Sequence, residues 1–341
     1  MSQVVLGKTG LMLERLGLGG LPIQRVDETQ AVEAVLYAVE HGVNFIDTAR
    51  AYTTSERRIG IALQQTDKKV IVASKSIKRT SDAIRQDLEM SLKELQIDCI
   101  DLYQCRNIAK HSEYDEVILS GGALQGLKDA KKEGLIGHYG VTSHSLDVLD
   151  RVLDDGLFET IMVCFSFLEP KAQETIIPKA LEKNVGVIVM KPFSGGVIDD
   201  PTLALKYVLS QPGVVVAAGM ETKEFIDENW RIVAESYELT EPEKQKIEEI
   251  KKIHNKYLCR RCDYCQPCTE DISIQTILGL RFMVKRLGKS ILQSGWRADA
   301  IEKARNCTEC GECLSRCPYE LPIPDLIKET LRWVDEQLIS P

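Results

Sequence analysis

The chain of 341 residues has no polybasic tract and carries a formal net charge of −8, which excludes nucleic acid as a partner held by charge. It has no apolar run of 18 residues, so no segment reads as a membrane-spanning helix. Its start, Met1-Ser-Gln-Val-Val-Leu-Gly-Lys8, lacks the basic-then-apolar order of a secretory signal, and the expectation is a cytoplasmic protein. A complete dinucleotide fingerprint is missing too. Gly17-x-Gly19 ends an apolar stretch, but Pro22 stands where a third glycine belongs, and no acidic residue follows at the right distance on a second strand. Gly19 and Gly20 are read instead as letting backbone approach a ligand closely. What remains, 44% hydrophobic and 28% charged, is ordinary globular material, enough for one large domain and a small one.

What the chain has in excess is cysteine. Eleven occur, eight of them between Cys259 and Cys317, while Cys99, Cys105 and Cys164 lie singly in strand-like segments. Without an export signal, such a cluster reads as metal ligation and not as a disulfide framework. Cys307-x2-Cys310-x2-Cys313-x3-Cys317-Pro318 has the bacterial ferredoxin spacing for a [4Fe–4S] cubane. Its companion, Cys259-x2-Cys262-x2-Cys265-x2-Cys268, is one residue shorter at the last step, with Thr269 where proline is usual. Two four-thiolate zinc sites are the competing reading, since Cys-x2-Cys pairs also suit tetrahedral zinc. The three-step run closing on Cys-Pro favours iron.

Strand and helix patterns alternate through the first two thirds of the chain. A first strand at Arg15–Pro22 is followed by strands at 44–48, 70–75, 99–105, 138–142, 160–165, 186–191 and 214–219, each trailed by a helical pattern. Eight such units in about 235 residues specify a TIM barrel. Val185–Met190 and Val214–Ala218 are apolar throughout, as parallel strands covered on both faces should be. No internal repeat beyond this alternation is evident. Thr240–His254 reads as a charged helix with Thr240 as N-cap, and further helical stretches fall at 273–287 and 324–338. The expected organisation is an α/β chain: a (β/α)8 barrel at 1–238, a linking helix at 239–256, and a small, mostly helical ferredoxin-like iron–sulfur domain at 257–341.

In this scheme Asp47 and Tyr52 lie at the carboxyl end of a strand and in the loop beyond, where α/β barrels collect reactive groups. The next strand, Val70-Ile-Val-Ala-Ser-Lys75, ends in a lysine that is expensive to bury unless paired, and Asp47 is the obvious partner. A phenol is a poor acid at neutral pH unless a cation stabilises its anion. A buried Asp–Lys pair that only braces the barrel, with Tyr52 as filler, is the alternative.

Asp47-Thr-Ala-x-x-Tyr52-x-x-Ser55-Glu56, followed by a strand ending in Ser74-Lys75, resembles the signature of the aldo/keto reductases, a resemblance covering about residues 5–235. It implies Tyr52 as proton donor to a small-molecule carbonyl substrate, Lys75 lowering its pKa, and Asp47 holding Lys75. The fourth strand, Ile100-Asp-Leu-Tyr-Gln-Cys-Arg106, puts Arg106 in the family's histidine position. Arginine cannot shuttle a proton, but it can raise the acidity of Tyr52 or grip a carboxylate bidentately, which favours a substrate with an acidic group. By the same resemblance Thr142 and Ser143 face the amide of a nicotinamide. Met162 and Met190 replace a glutamine and a ring-bearing tyrosine, and His144 is a minor acid–base candidate. Gly20, the run Lys191, Pro192, Phe193, Ser194 and Gly195, and Gly219, Met220, Glu221 and Asn229 sit where the family holds its cofactor, NADP or NAD.

The cysteine runs together resemble a two-cluster ferredoxin module, as in a branch of the same family. That pattern implies Cys259, Cys262, Cys265 and Cys317 on one [4Fe–4S] cluster, and Cys307, Cys310, Cys313 and Cys268 on the other. A cluster passes single electrons whereas nicotinamide gives hydride, so the two trade only through a splitter such as flavin or a substrate able to form a radical. Three functions follow: hydride transfer with structural or relay clusters; a ferredoxin-linked reductase whose clusters feed a flavin or the substrate; and a non-catalytic redox sensor or carrier. The joint presence of Asp47, Tyr52 and Lys75 speaks against the third.

Overall fold

Gly7 and Gly10, both in left-handed backbone (φ 51° and 72°), turn the chain back on itself, so that β1 (Gln3–Val5) and β2 (Met12–Glu14) pair antiparallel. The computed structural model describes residues 3–234, 237–261 and 263–339, the side chain of Arg286 excepted. It divides into two units, Met1–Ser194 with Asp200–Leu239, and Gly195–Asp199 with Thr240–Pro341.

In the first unit β3 (Leu16–Gly19), β4 (Phe45–Asp47), β5 (Ile71–Ser76), β6 (Ile100–Cys105), β7 (Ile136–Ser143), β8 (Thr160–Cys164), β9 (Gly186–Met190) and β10 (Val214–Gly219) are parallel. They form a closed barrel in chain order, shut by pairing of β10 with β3. Side chains alternate faces along a strand. One set, with Phe45, Ile71, Ala73, Leu102, Met162, Ile188, Val215 and Ala217, fills the interior together with Leu6 and Leu13 of the hairpin region. The hairpin therefore plugs the end opposite the strand carboxyl termini. Truncating one such filler, Phe45→Ala, costs about 3–5 kcal/mol by the usual cavity relation.

The other set packs under the helices. Glu28–Glu40 starts at Asp27, whose carboxylate accepts Gln30 N at 2.8 Å, and buries Ala31, Val35, Ala38 and Val39. The connection after β6 holds a short helix, His111–Ile118, that the sequence pattern left as loop. It buries only Tyr114 and Val117, too few positions to show a period. Gly122 separates it from Ala123–Lys132, because a Cβ there would lie 2.4 Å from Val117 O.

The second unit has no strand among its described residues. Its helices are Glu241–His254, opened by a capping box between Thr240 and Glu243, then Ile274–Leu287, Trp296–Ala304, Glu312–Arg316 and Ile323–Ile339. Their core is aliphatic: Ile274, Ile277, Leu280, Leu292, Ile301, Ile323, Ile327 and Val334.

This unit does contain a repeat. Arg261 and Asp263 in the first cysteine run, and Glu309 and Gly311 in the second, share left-handed backbone at matching places (φ 58° and 66°; 57° and 79°). Three residues beyond the last cysteine of each run, Asp271 and Glu320 are left-handed again, both at φ 52°, and helices start at Ile274 and Ile323. The cysteine spacing hints at the duplication. The rest of the sequence hides it, because left-handed backbone is tolerated by several residue types and leaves no fixed letter.

Candidate active site

The reactive-looking groups gather at the carboxyl ends of β4, β5 and β6. Period-two alternation carries the interior face from Phe45 to Asp47, from Ala73 to Lys75, and from Leu102 to Gln104. Lys75 Nζ stands 2.7 Å from both carboxylate oxygens of Asp47 and 2.5 Å from Thr48 O. An ammonium has three protons, and these acceptors take all three. The pair is deeply buried, Lys75 2% and Asp47 5% exposed. Burial pushes the Asp47 carboxyl above its ordinary range, while Lys75, Arg106 and Gln104 draw it back. With two short bonds to an ammonium, the carboxyl is the anion of an ion pair.

Tyr52 sits in the turn that enters the helix Ser55–Leu63, its N–H donating to Ala49 O and its carbonyl accepting from Ser55 N. That helix is pinned to the strand ends. Ser55 Oγ donates to Gly20 O at 2.8 Å and accepts from Thr48 Oγ1 at 2.9 Å. Buried Glu56 accepts from Ser74 Oγ at 2.6 Å and pairs with Arg50. The Tyr52 ring lies close to two cations: Lys75 Nζ and Arg106 Cζ are each 5.3 Å from its centroid. Among the described residues the Arg106 side chain has no protein hydrogen-bond acceptor.

Gln104 is the group that sequence reasoning passed over. It is 0% exposed, close enough to Asp47 to lower its carboxyl, yet neither amide atom makes a well-aligned hydrogen bond. Thr160 Oγ1 is likewise orphaned, and both flank Gly140, whose added Cβ would meet Thr160 Oγ1 at 2.1 Å and Gln104 Cγ at 3.3 Å. Its signal was available: Gln104 lies two residues after Leu102 and two before Arg106 on one strand face.

The remaining candidates are dispersed. Thr142 is buried, and its Oγ1 accepts from Asn107 N at 2.8 Å. Ser143 takes the opposite face, its hydroxyl committed to Ile108 O and Ser145 N. Gly20 is closed in by protein, since a Cβ there would meet Ser55 Oγ at 2.8 Å and Asp47 O at 3.0 Å. Met162 lies in the interior cluster and Met190 packs against it. Beyond β9, Lys191 and Ser194 adopt left-handed backbone (φ 59° and 48°), Pro192 is buried, and Phe193 packs on the barrel core. Ser194 Oγ is 2.7 Å from Ser166 Oγ, and Gly195 follows as the first residue of the second unit. At the end of β10 Gly219 abuts Pro22; beyond it Met220 is buried, Glu221 reaches Arg25 at 3.5 Å, and Asn229 is buried in the helix Lys223–Ala234.

In the second unit the cysteines line two clefts. One is lined by Cys268, Cys307, Cys310 and Cys313, the other by Cys259 and Cys317. Cys265 borders both, and Cys262 lies outside the described residues. The Cys313 thiol is pushed up by burial and by its neighbours Cys307, Cys310 and Cys268. Among the described residues no three His, Cys, Asp or Glu side chains converge on a point that would hold one metal ion, as tetrahedral zinc requires.

Residues 15–202, more than half of the chain, match the profile of the aldo/keto reductase family. The chain is 29% identical over 214 residues to the L-galactose dehydrogenase of Arabidopsis thaliana, covering 57% of this chain and 66% of that enzyme. To the aldo-keto reductase YhdN of Bacillus subtilis it is 26% identical over 217 residues, covering 58% and 64%. The matches thus span about two thirds of these relatives. The holo form of aldo-keto reductase AKR11C1 from Bacillus halodurans superposes with a TM-score of 0.64 at 27% identity, over 73% of this chain and 96% of that one. An aldo-keto reductase from Klebsiella pneumoniae solved in complex with NADPH shares the fold at 19% identity and a TM-score of 0.64, over 74% and 96% of the two chains.

Proposed function

Because the chain belongs to the aldo/keto reductase family and is an oxidoreductase of that type, we propose that it reduces a small carbonyl compound bearing an acidic group, with NAD(P)H as reductant. The observation that carries this is the approach of both Lys75 and Arg106 to the Tyr52 ring, with Lys75 locked on Asp47.

Tyr52 gives its O–H proton to the carbonyl oxygen as charge develops there. The two cations stabilise the phenolate left behind. Lys75 acts through its field, since its protons are spent on Asp47 and Thr48. Arg106, with its guanidinium protons available, holds a carboxylate of the substrate in a two-point grip and fixes the carbonyl against Tyr52. The nicotinamide, when bound, supplies the hydride. The residues at hand fit such a cofactor: Thr142 keeps its O–H to donate, and the turn Lys191–Ser194 brings a cation and left-handed backbone to the strand ends, as anion-binding nests do.

We assign the cysteine unit, taken as residues 257–341 behind a linking helix at 239–256 and a barrel at 1–238, as a ferredoxin-like domain with two [4Fe–4S] clusters in a cytoplasmic protein. Two clefts, one lined by Cys268, Cys307, Cys310 and Cys313 and the other by Cys259 and Cys317, with Cys265 bordering both, support that donor set, to which the cysteine spacing adds Cys262. Bound clusters supply single-electron transfer.

A second reading, a ferredoxin-linked reductase feeding a flavin or the substrate, is favoured by Met190 and Met162, which stand where the family resemblance expects a ring that stacks on nicotinamide and a glutamine, and which pack in or against the barrel interior. A pure electron carrier is disfavoured by the buried pair. Tyr52→Phe decides the catalytic part. Turnover of 2-oxo acids and similar carbonyls should fall by about 10²–10⁴-fold with cluster absorption intact. Unchanged turnover would reject Tyr52 as the acid. Bleaching of the anaerobic iron–sulfur absorption by NADPH alone would favour the second reading.

A further inference from the structure

The two cysteine clefts differ in charge. Around Cys268, Cys307, Cys310 and Cys313 the lining carboxylates are Glu270, Glu309 and Glu312, and no lysine or arginine is among the lining residues. Glu309 and Glu312 are paired with Lys328 and Arg316 at 2.6 Å, but these are solvent-facing pairs, weakened by water and salt. Cys310 is exposed at this lip.

The cleft of Cys259, Cys265 and Cys317 is lined by a buried arginine. Arg260 is 8% exposed; its Nη1 donates to Leu258 O at 2.8 Å and its Nη2 to Asn255 Oδ1. Its Cζ lies 4.6 Å over the ring of Tyr319, which lines the same cleft two residues after Cys317. The guanidinium is thus held by two hydrogen bonds and the Tyr319 ring, in a residue that lines the cleft together with Cys259, Cys265 and Cys317. One carboxylate, Asp263, lines this cleft, more exposed than Arg260 and tied to Gln275 at 3.1 Å. A fixed charge out of water acts on its neighbours far more strongly than one in solvent.

We propose that the pair of sites is polarised: the cluster on Cys259, Cys265 and Cys317 has the higher reduction potential, Arg260 sets it, and a single electron arriving from a one-electron donor comes to rest there. The inference rests on the cluster assignment above. Reduction adds one negative charge to a cluster whose ligands do not change, so a buried cation favours the reduced form and nearby carboxylates oppose it.

The test is EPR-monitored potentiometry with dithionite on the anaerobically purified full-length chain. Two one-electron waves are expected. Arg260→Gln should lower the upper wave, so that its reduced-to-oxidised ratio at a fixed potential falls about tenfold, and leave the lower wave in place. Arg260→Lys should restore most of the loss. If Arg260→Gln assembles poorly, Glu309→Gln with Glu312→Gln, both on the exposed lip, must raise the lower wave alone. Waves that stay put in a fully loaded variant, or movement of the lower wave by Arg260→Gln, would overturn the inference while leaving the clusters assigned. A parent protein with no iron–sulfur signal would overturn both.

Discussion

The barrel and the cysteine unit solve the problem of holding reactive groups in opposite ways. The barrel surrounds the buried Asp47–Lys75 pair with a dense core. Tyr103, Tyr114, Phe45, Phe158, Phe165 and Phe167 are all fully buried, and Lys75 stands in the same class. There the geometry comes from packing, and a charge is tolerated inside because its partner is fixed. Among the described residues the cysteine unit has an aliphatic core without one fully buried ring, and most of its thiols sit at the edge of that core, against clefts. On the cluster assignment proposed above, a core so small would gain much of its stability from the groups its thiols bind. The lesson is that one unit carries its site on its fold, whereas the other, on the proposed assignment, completes its fold with its site.

Three perturbations break or sharpen this contrast. The largest effect is expected from Cys307→Ser combined with Cys313→Ser. Helix content and protease resistance of the cysteine unit should collapse, while the barrel keeps its own cooperative thermal transition. Simultaneous loss of the barrel transition would show that the two stabilities are coupled. Lys75→Met comes next. It strands the Asp47 carboxylate in the interior, and chemical denaturation should show a loss of about 3–5 kcal/mol, confined to the barrel. A loss under 1 kcal/mol would mean that the pair is not buried in solution.

The smallest effect concerns acid. Glu159 is pushed up by burial but pulled further down by His138, Lys131 and the Tyr139 N–H, so that its carboxyl titrates at about 2. A carboxyl depressed in the folded state contributes stability that is full above its unfolded range and is lost as pH falls toward the folded value. Stability should therefore decline between pH about 5 and about 2, by about 1 kcal/mol after allowance for the solvent around this pair. Glu159→Gln should remove this component of the acid dependence, and an unchanged slope in that variant would refute the assignment.

Much of the barrel is legible because period-two apolar strands and capped amphipathic helices are local, repeated signals. Lys75 at the end of an apolar strand announces a buried partner on energetic grounds alone, and Asp47 is found 2.7 Å away. Other features needed the folded chain. The plugging hairpin rests on two three-residue strands, too short to show a period. Thr142 and Ser143 look equivalent in the sequence, yet strand alternation turns only one of them inward. Gly20 looked like a place for close approach of a ligand, and its neighbours prove to be Ser55 and Asp47.

By itself the sequence determined the eight-fold alternation, the cost of an unpaired Lys75 and the ferredoxin spacing of the thiols, because each is written in residue type at fixed intervals. Only the tertiary structure decided that Arg106 joins Lys75 against one ring, that Gln104 and Thr160 are left as interior orphans around Gly140, and that one cysteine cleft holds a buried arginine while the other is lined by carboxylates. Those facts depend on which residues meet across strands and loops far apart in the chain, and no local pattern encodes such a meeting.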